Sequence, residues 1–312
     1  MFRFIALRLV RALVTIVIVV SACFFMLRAS GDPALTILGN DASPELVAAF
    51  RKSWGLDQTM SVQYLQYVRA ILAGDLGQSM RENRAALDVV VERIPITLAL
   101  TVPAFLLQLA LGLPAGVLAA LHRNSVIDRF VMAVSVLGFT VPSFVLGLIL
   151  SLVFAVNLHW LPSTGSGTWR HAILPIITLG ATGAATIARF TRSAMIEVLG
   201  QPYIRTASAK GIVWRNVVSR HALPNAAIPT VTVVGFLIGY LVAGAVVVEN
   251  VFSWPGVGRL LVLSVTNRDF AVVQCILLLI GITMVASNFA VDFLYGWIDP
   301  RLKTGKRMQV GS

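Results

Sequence analysis

Six long apolar runs constrain this chain more than any other feature of its sequence. A helix needs about 20 residues to cross about 30 Å of hydrocarbon. The six runs are residues 9–28, 95–121, 130–158, 172–188, 225–248 and 271–297. Only 12% of the 312 residues are charged and 57% are hydrophobic, whereas roughly a quarter of residues are charged in soluble domains. The sequence therefore predicts an all-α polytopic membrane protein with about six transmembrane helices.

The basic residues indicate how these helices are oriented. Segments on one side of the predicted membrane hold 15 Lys and Arg residues against three acids, whereas residues 29–96 on the other side hold six basic and eight acidic residues. Lys and Arg accumulate in cytoplasmic loops. Both termini are therefore predicted to be cytoplasmic. Topology accounts for the net charge of +11 better than a nucleic-acid-binding face does, since such a face needs a soluble fold.

The longest predicted cytoplasmic loop, residues 189–224, has an internal pattern. Its stretch "YIRTASAK" is a helical candidate that ends at Gly211, where a glycine can take a positive φ. At about 100° per residue, a second short helix is predicted to be amphipathic. Its apolar arc holds Val213, Trp214, Val217 and Val218. Its polar arc holds Arg215, Asn216, Ser219 and Arg220. Pro224 is predicted to open the fifth span. The pattern alone fits a docking site for a cytoplasmic partner and a basic helix on anionic lipid equally well.

The stretch "FSWPGVG" follows the fifth span on the outward side. A Trp at the membrane interface before a Pro-Gly turn is commonly an anchor. The alternative is a gate that closes the outward end of a transport path, with the short apolar run "VGRLLVLSV" beside it. The candidate gate residues are Phe252, Trp254, Pro255 and Gly256. Gly256 is expected at a turn that needs a positive φ.

Polar residues inside the apolar runs are candidates for lining a path through the membrane. They are Gln108, Ser143, Thr182, Tyr240, Asn288 and Asp292. For Asp292, which shares a helix face with Asn288, structural pairing is favoured over contact with a substrate.

Other residues in these runs are predicted to shape the helix bundle. The pairs Gly112/Gly116 and Gly235/Gly239 are predicted packing sites. Kinks are predicted where Pro103, Pro114 and Pro142 interrupt the helix hydrogen bonds. The two cysteines, Cys23 and Cys275, lie in apolar runs and are predicted core residues, and no metal site is predicted.

Several catalytic motifs are missing from the sequence. It has no GxxxxGK[ST] phosphate-binding loop, no HExxH and no GxSxG. A membrane hydrolase therefore has little support, and a passive channel lacks the repeated filter or charged ring that it would need. If ATP drives this protein, another subunit hydrolyses it.

The cytoplasmic loop resembles that of a known family. "RTASAKG" followed by "HALPNA" is similar to the EAA loop of bacterial ABC importer permeases, whose two short helices dock into a cleft of the ATPase subunit. Arg205 and Thr206 stand where the general pattern has Glu and Ala. This departure is typical of the branch that transports dipeptides, oligopeptides and nickel. The resemblance assigns the following residues to an ATPase-docking coupling loop: Arg205, Thr206, Ala207, Ala209, Lys210, Gly211, Trp214, Arg215, His221, Leu223 and Pro224.

The resemblance extends over nearly the whole chain. The segments that carry it begin at Trp54 ("WGLDQTMSVQYLQYVRAILAGDLGQS"), Leu161 ("LPSTGSGTWRHAILP"), Glu249 ("ENVFSWPGVGRLLVLSVTNRDF") and Val291 ("VDFLYGWIDPRLK"). It implies the first of two related permeases in a heterodimer, served by two ATPases that bind ATP and Mg²⁺ and by an external substrate-binding protein. The chain itself is expected to be neither catalytic nor cofactor-binding.

This resemblance defines the expected organisation in a bacterial inner membrane. Residues 1–28 form a tail and the first transmembrane helix, and 29–94 form a periplasmic segment. Residues 95–300 form the transmembrane core with the coupling loop 189–224, and 301–312 form a cytoplasmic tail. The expected cargo is a di- or oligopeptide, with nickel or another small solute as the alternative. A membrane scaffold with a lipid-binding loop is the alternative from a different class.

Overall fold

A computed structural model describes residues 2–29, 31, 33–39, 41–243 and 245–298. In these residues every regular element is helical. The helices are α1 Phe2–Ala29, α2 Pro33–Leu38, α3 Pro44–Ser53, α4 Met60–Leu72, α5 Ala86–Val91, α6 Ile94–Leu121, α7 Val126–Thr140, α8 Ser143–Leu150, α9 Arg170–Leu199, α10 Pro202–Ala209, α11 Trp214–Val217, α12 Leu223–Ala243, α13 Val246–Val251, α14 Val257–Thr266 and α15 Phe270–Ile298. The predicted all-α class is confirmed.

Four of the six predicted spans fall on helices that are long and apolar enough to cross a membrane. In the described residues, four segments are long and apolar enough to cross a membrane: Ala86–Leu121, Arg170–Leu199, Trp214–Gly239 and Phe270–Ala290. A fifth is the pair α7 and Ser143–Asn157, if that bent pair is one span. The predicted first span lies on α1, in which Leu13–Met26 is the apolar stretch.

The prolines act differently from one another. Pro142 precedes α8, and the helix pair that it separates is bent by 102°. The predicted kink is therefore confirmed there. Pro103 and Pro114 lie inside α6, which continues through both as one helix.

The chain divides into two compact units. The first consists of Met1–Leu98 and Ser253–Thr283, and the second of Ala99–Phe252 and Met284–Ser312. In the first unit, Cys23 and Cys275 are each 3% exposed, so their predicted core positions are confirmed.

Small residues of the second unit bring its helices close together. A Cβ atom at Gly112 would lie 2.7 Å from Cβ of Ile187, and one at Gly116 would lie 2.6 Å from the carbonyl oxygen of Ala188. Both neighbours belong to α9. On α12, the Gly235 carbonyl accepts a 2.9 Å hydrogen bond from the Ser287 hydroxyl of α15, and Gly239 lies beside the same hydroxyl. Both predicted glycine pairs are therefore packing sites.

Candidate functional site

The cytoplasmic loop folds as two short helices joined by a glycine turn. Pro202 occupies the first turn of α10, where its missing N–H costs no hydrogen bond. After α10 ends, Gly211 has a φ of +77°, and its amide donates to the Ser208 carbonyl. The predicted helix, glycine turn and second helix are confirmed.

The inner face of the loop packs onto the ends of the long helices. The buried cluster here consists of Ala120, Ala194, Met195, Ile204, Ala207, Val217, Val218, Ala222 and Ala226. Ala207 is 8% exposed within it. The resemblance placed Ala207 among the residues of a docking loop, but its side chain packs against residues of this same chain. The loop is therefore attached to α6 and α9 by apolar packing.

The outer face of the loop exposes both apolar and basic side chains. Val213 is 67% exposed and Trp214 is 53% exposed, whereas Val217 is fully buried. The predicted single apolar arc is therefore split. Val217 and Val218 face the protein's own core, while Val213 and Trp214 lie on its surface together with Arg205, Lys210 and Arg215.

Pro224 lies in the first turn of α12, as predicted, but α12 continues directly from the second loop helix and does not begin a separate one. A continuous helical segment runs from Trp214 to Gly239, and the backbone from Val218 to Ala222 is a π-helical turn just before Leu223 and Pro224. A wider turn accommodates a proline that lacks an N–H and would clash with the preceding turn. His221 lies in this turn, and its carbonyl accepts a 2.6 Å hydrogen bond from Asn225. The second loop helix and the span thus form one continuous helix.

An ion pair near the loop was not anticipated from the sequence. Asp128, 3% exposed in the first turn of α7, accepts hydrogen bonds from the Nε and Nη2 atoms of Arg192 at 2.5 and 2.7 Å. The Asn124 amide donates to the same carboxylate at 2.9 Å. The two charged residues are 64 positions apart, so only the helix packing brings them together. The pair joins α7 to the end of α9 that precedes the loop.

Phe252, the first residue of the candidate gate, is a core residue of the second unit. It is 1% exposed and packs in a cluster with Leu174 and Val248. A Cβ atom at Gly147 would lie 3.1 Å from its ring. Its carbonyl accepts a 2.9 Å hydrogen bond from the Gly165 amide. The end of α13 is therefore held by the helices around it.

Trp254 is buried within the first unit, contrary to the interpretation as an interfacial anchor. It is 6% exposed, and its indole N–H donates to the Ile96 carbonyl at 2.9 Å. The Val257 amide donates to the Thr97 hydroxyl at 2.8 Å, and Arg93 donates to the Pro255 carbonyl at 3.4 Å. Residues 254–257, the Trp254 segment, are thus hydrogen-bonded to residues at the start of α6.

The expected positive φ at Gly256 is wrong. Gly256 has a φ of −88° and a ψ of −171°, which is extended backbone open to any residue, and it forms the N-cap of α14. The left-handed residue of this turn is Ser253, with a φ of +53°. The residue with a positive φ therefore stands three positions earlier than expected.

Three of the predicted path residues line one cavity of about 320 Å³ in the second unit. Gln108 from α6, Ser143 from α8 and Thr182 from α9 contribute to its wall. This volume lies at the lower end of the range for small-molecule sites. Asn288 is exposed and lies outside the lining of the cavity.

The remaining predicted path residues are Tyr240 and Asp292. Their side chains lie outside the described part of the structure, as does the predicted tail 301–312. The described residues contain no group of three or more His, Cys, Asp or Glu side chains arranged to hold a metal ion.

Two family models together match nearly the whole chain. "Binding-protein-dependent transport system inner membrane component" matches residues 112–304, and the N-terminal model for the membrane components of such systems matches residues 1–101. The chain belongs to this permease family. It is a multi-pass inner-membrane protein and a permease subunit of an ABC importer. Membership in general implies a partner permease, an ATPase and a binding protein.

Curated relatives cover the permease almost completely. It is 41% identical over 304 residues to the glutathione transport system permease protein GsiC of Salmonella paratyphi A and to that of Escherichia coli (strain K12). In each case the match spans 97% of this chain and 99% of the relative.

Solved structures share the fold of the permease at low sequence identity. The MetNI methionine ABC transporter, in inward-facing conformations, matches with a TM-score of 0.54 at 23% identity and covers 67% of this chain and 96% of that one. An amino acid ABC transporter with histidines matches with a TM-score of 0.53 at 17% identity, over 66% and 92% of the two chains.

Proposed function

We propose that this permease forms half of the translocation path for a peptide-like cargo, a di- or oligopeptide. The observation that carries the proposal is the 41% identity to glutathione permeases over 97% of the chain. Glutathione is itself a tripeptide. Because the similarity includes the outward segment, the path and the loop alike, it supports a cargo of the same chemical class.

The cytoplasmic loop is the proposed docking site for the ATPase subunits. Its outer face presents the exposed apolar side chains of Val213 and Trp214 beside Arg205, Lys210 and Arg215. An aromatic and aliphatic centre with a charged rim is typical of protein interfaces. The inner face is packed against α6 and α9, so a displacement of the loop moves the membrane helices with it. ATP and Mg²⁺ bind to two partner ATPases, because this chain has no phosphate-binding loop.

The periplasmic side completes the proposed cycle. A substrate-binding protein delivers cargo to this permease and to a second, related permease, with which it forms a heterodimer. The Trp254 segment, fixed to the start of α6, acts as the outward gate of this half of the path.

Reconstitution of the full complex tests the proposed cargo. The permease is co-expressed with its partner permease, ATPases and binding protein, and ATP-dependent uptake of glutathione, trialanine and Ni²⁺ into proteoliposomes is measured. We expect uptake of at least one of the two peptides and none with a hydrolysis-deficient ATPase. Uptake of Ni²⁺ alone would establish the nickel alternative. If none of the three compounds is taken up and the purified permease retains no ATPase subunits, the lipid-binding scaffold is favoured.

A further inference from the structure

The cavity that contains Gln108 has a wall without charge. Among its described lining residues, Thr101, Ser143, Thr182 and Thr186 carry hydroxyl groups, Gln108 carries an amide, and the other side chains are apolar. A charged wall would bind cargo of one sign and repel the other. An uncharged, hydrogen-bonding wall accepts groups that all peptides share.

Two residues of this wall each carry a covered polar atom that has no hydrogen-bond partner in the described structure. These atoms are Oε1 of Gln108 and Oγ1 of Thr101, and the residues are 9% and 2% exposed. Both belong to α6 and are seven residues apart, so they lie on the same face of the helix. Buried polar atoms nearly always have partners in native proteins, so each such atom calls for an explanation.

The orientation of the Gln108 amide is determined by its surroundings. Its Nε2 atom donates to the Leu179 carbonyl at 3.1 Å, so the unpaired atom is the acceptor oxygen. The amide lies against the backbone of Gly183, where a Cβ atom would lie 2.1 Å from Cδ of Gln108. The absence of a side chain at position 183 leaves room for the amide in this position.

We propose that Thr101 and Gln108 form a cargo subsite that recognises the backbone amide groups of a peptide. Both atoms are covered in the described structure, so each side chain turns toward the cavity when cargo enters. A cargo N–H then donates to Gln108 Oε1, and the Thr101 hydroxyl forms a second hydrogen bond to the same backbone. The subsite rests on the proposed peptide cargo and deepens it: it is indifferent to side-chain charge. Selection among peptides is left to the binding protein and to other parts of the path.

Substitutions of similar shape that remove the two polar atoms distinguish a cargo subsite from polar atoms that are buried without a function. Thr101→Val replaces an unpaired hydroxyl with a methyl group, so stability stays level or rises if the hydroxyl has no function. Gln108→Leu also removes the Nε2 donor to the Leu179 carbonyl, so its stability is measured beside its transport. For a subsite, the KM for trialanine uptake rises about 2- to 12-fold per variant, the usual net value of one hydrogen bond. The thermal midpoint of the Thr101→Val complex does not fall.

Thr191→Val is the matched control. Thr191 is 4% exposed and its hydroxyl is also unpaired in the described structure, but it lies outside the lining of the cavity. We expect parental uptake from this variant. The subsite is overturned if Thr101→Val and Gln108→Leu have the same KM for trialanine as the unmodified permease. It is also overturned if Thr191→Val raises this KM by as much as they do.

Comparison of three peptides tests what the subsite recognises. With the same binding protein throughout, Gln108→Leu should reduce kcat/KM for trialanine, trilysine and triglutamate by a similar factor. A loss confined to one charge class would contradict recognition of the backbone. If the parental complex transports no peptide, the proposed function fails. If it transports peptides and the variants match it, only the subsite fails.

Gly183→Ala tests the positioning of the amide. The added methyl group meets the flexible end of Gln108, so the amide moves while the helix stays intact. We expect a rise in KM at unchanged kcat. Gly281→Ala is the control, because a Cβ atom there has no neighbour within 4 Å. A parental KM in Gly183→Ala would show that the amide position does not matter for cargo.

Discussion

Single residues determine the shape of the coupling loop. Gly211 is exposed, and a Cβ atom there would meet nothing within 4 Å. Packing therefore does not require glycine at this position, but its φ of +77° does, since β-branched residues are rare in that region. Ala207 is constrained in the opposite way, by the cluster around its methyl group.

The requirement at Gly211 gives a graded prediction. Gly211→Asn should retain ATPase binding and coupled transport, because Asn tolerates the left-handed region. Gly211→Ala should be weaker, and Gly211→Val should lose its ATPases on purification or hydrolyse ATP without transport. Arg215→Glu should have a smaller effect than Gly211→Val, since exposed ion pairs contribute only about 0 to 1 kcal/mol. A lipid-surface loop predicts the reverse order, and normal coupling in Gly211→Val would exclude the docking proposal.

At the scale of helices, two connections extend beyond one element. The segment from Trp214 to Gly239 joins the second loop helix to a transmembrane span through a π-helical turn. The Asp128–Arg192 pair joins α7 to α9. The loop is therefore connected to the membrane helices along a continuous helix and through packed contacts.

The Trp254 segment is tested at this scale. Trp254→Phe keeps an aromatic ring but removes the N–H that bonds to the Ile96 carbonyl, which is worth about 1 kcal/mol. It also leaves part of the space of the buried indole empty, which adds to the cost. If the segment holds the outward end closed, basal ATP hydrolysis without the binding protein should rise. Trp169→Phe is the control, because Trp169 is 74% exposed. Unchanged basal hydrolysis in Trp254→Phe would leave the segment with a purely structural role.

At the scale of the whole molecule, the surface itself is apolar. Leu106, Leu111 and Leu118 along α6 are all more than a third exposed. Exposed apolar side chains of this kind are costly in water but not in hydrocarbon or against a second permease. Insertion in a bilayer accounts for them, and the distribution of Lys and Arg then sets the orientation.

Cysteine labelling tests this orientation. Ser53 and Ser208 are exposed, and the native Cys23 and Cys275 are buried, so background labelling should be low. Ser53→Cys should react with a membrane-impermeant maleimide in intact spheroplasts, and Ser208→Cys only after lysis. Reaction of both from outside would refute the six-span topology.

The sequence alone determined the features that depend on neighbouring residues. The helical spans, the glycine turn at Gly211 and the bend at Pro142 follow from run length and backbone preference, which act over one or two turns. The charge distribution predicts the orientation, which the labelling experiment tests. The glycine pairs on α6 and α12 were also predictable, because small residues permit close helix contact wherever a partner helix lies.

Only the tertiary structure decided which face of each element is covered. Val213 and Trp214 share a predicted arc with Val217 and Val218, yet α6 and α9 cover only the last two. Trp254 is buried because the first turn of α6 offers a carbonyl to its indole. Gln108, Ser143 and Thr182 line one cavity while Asn288 does not, since contacts between residues distant in sequence leave no periodic signal in the chain.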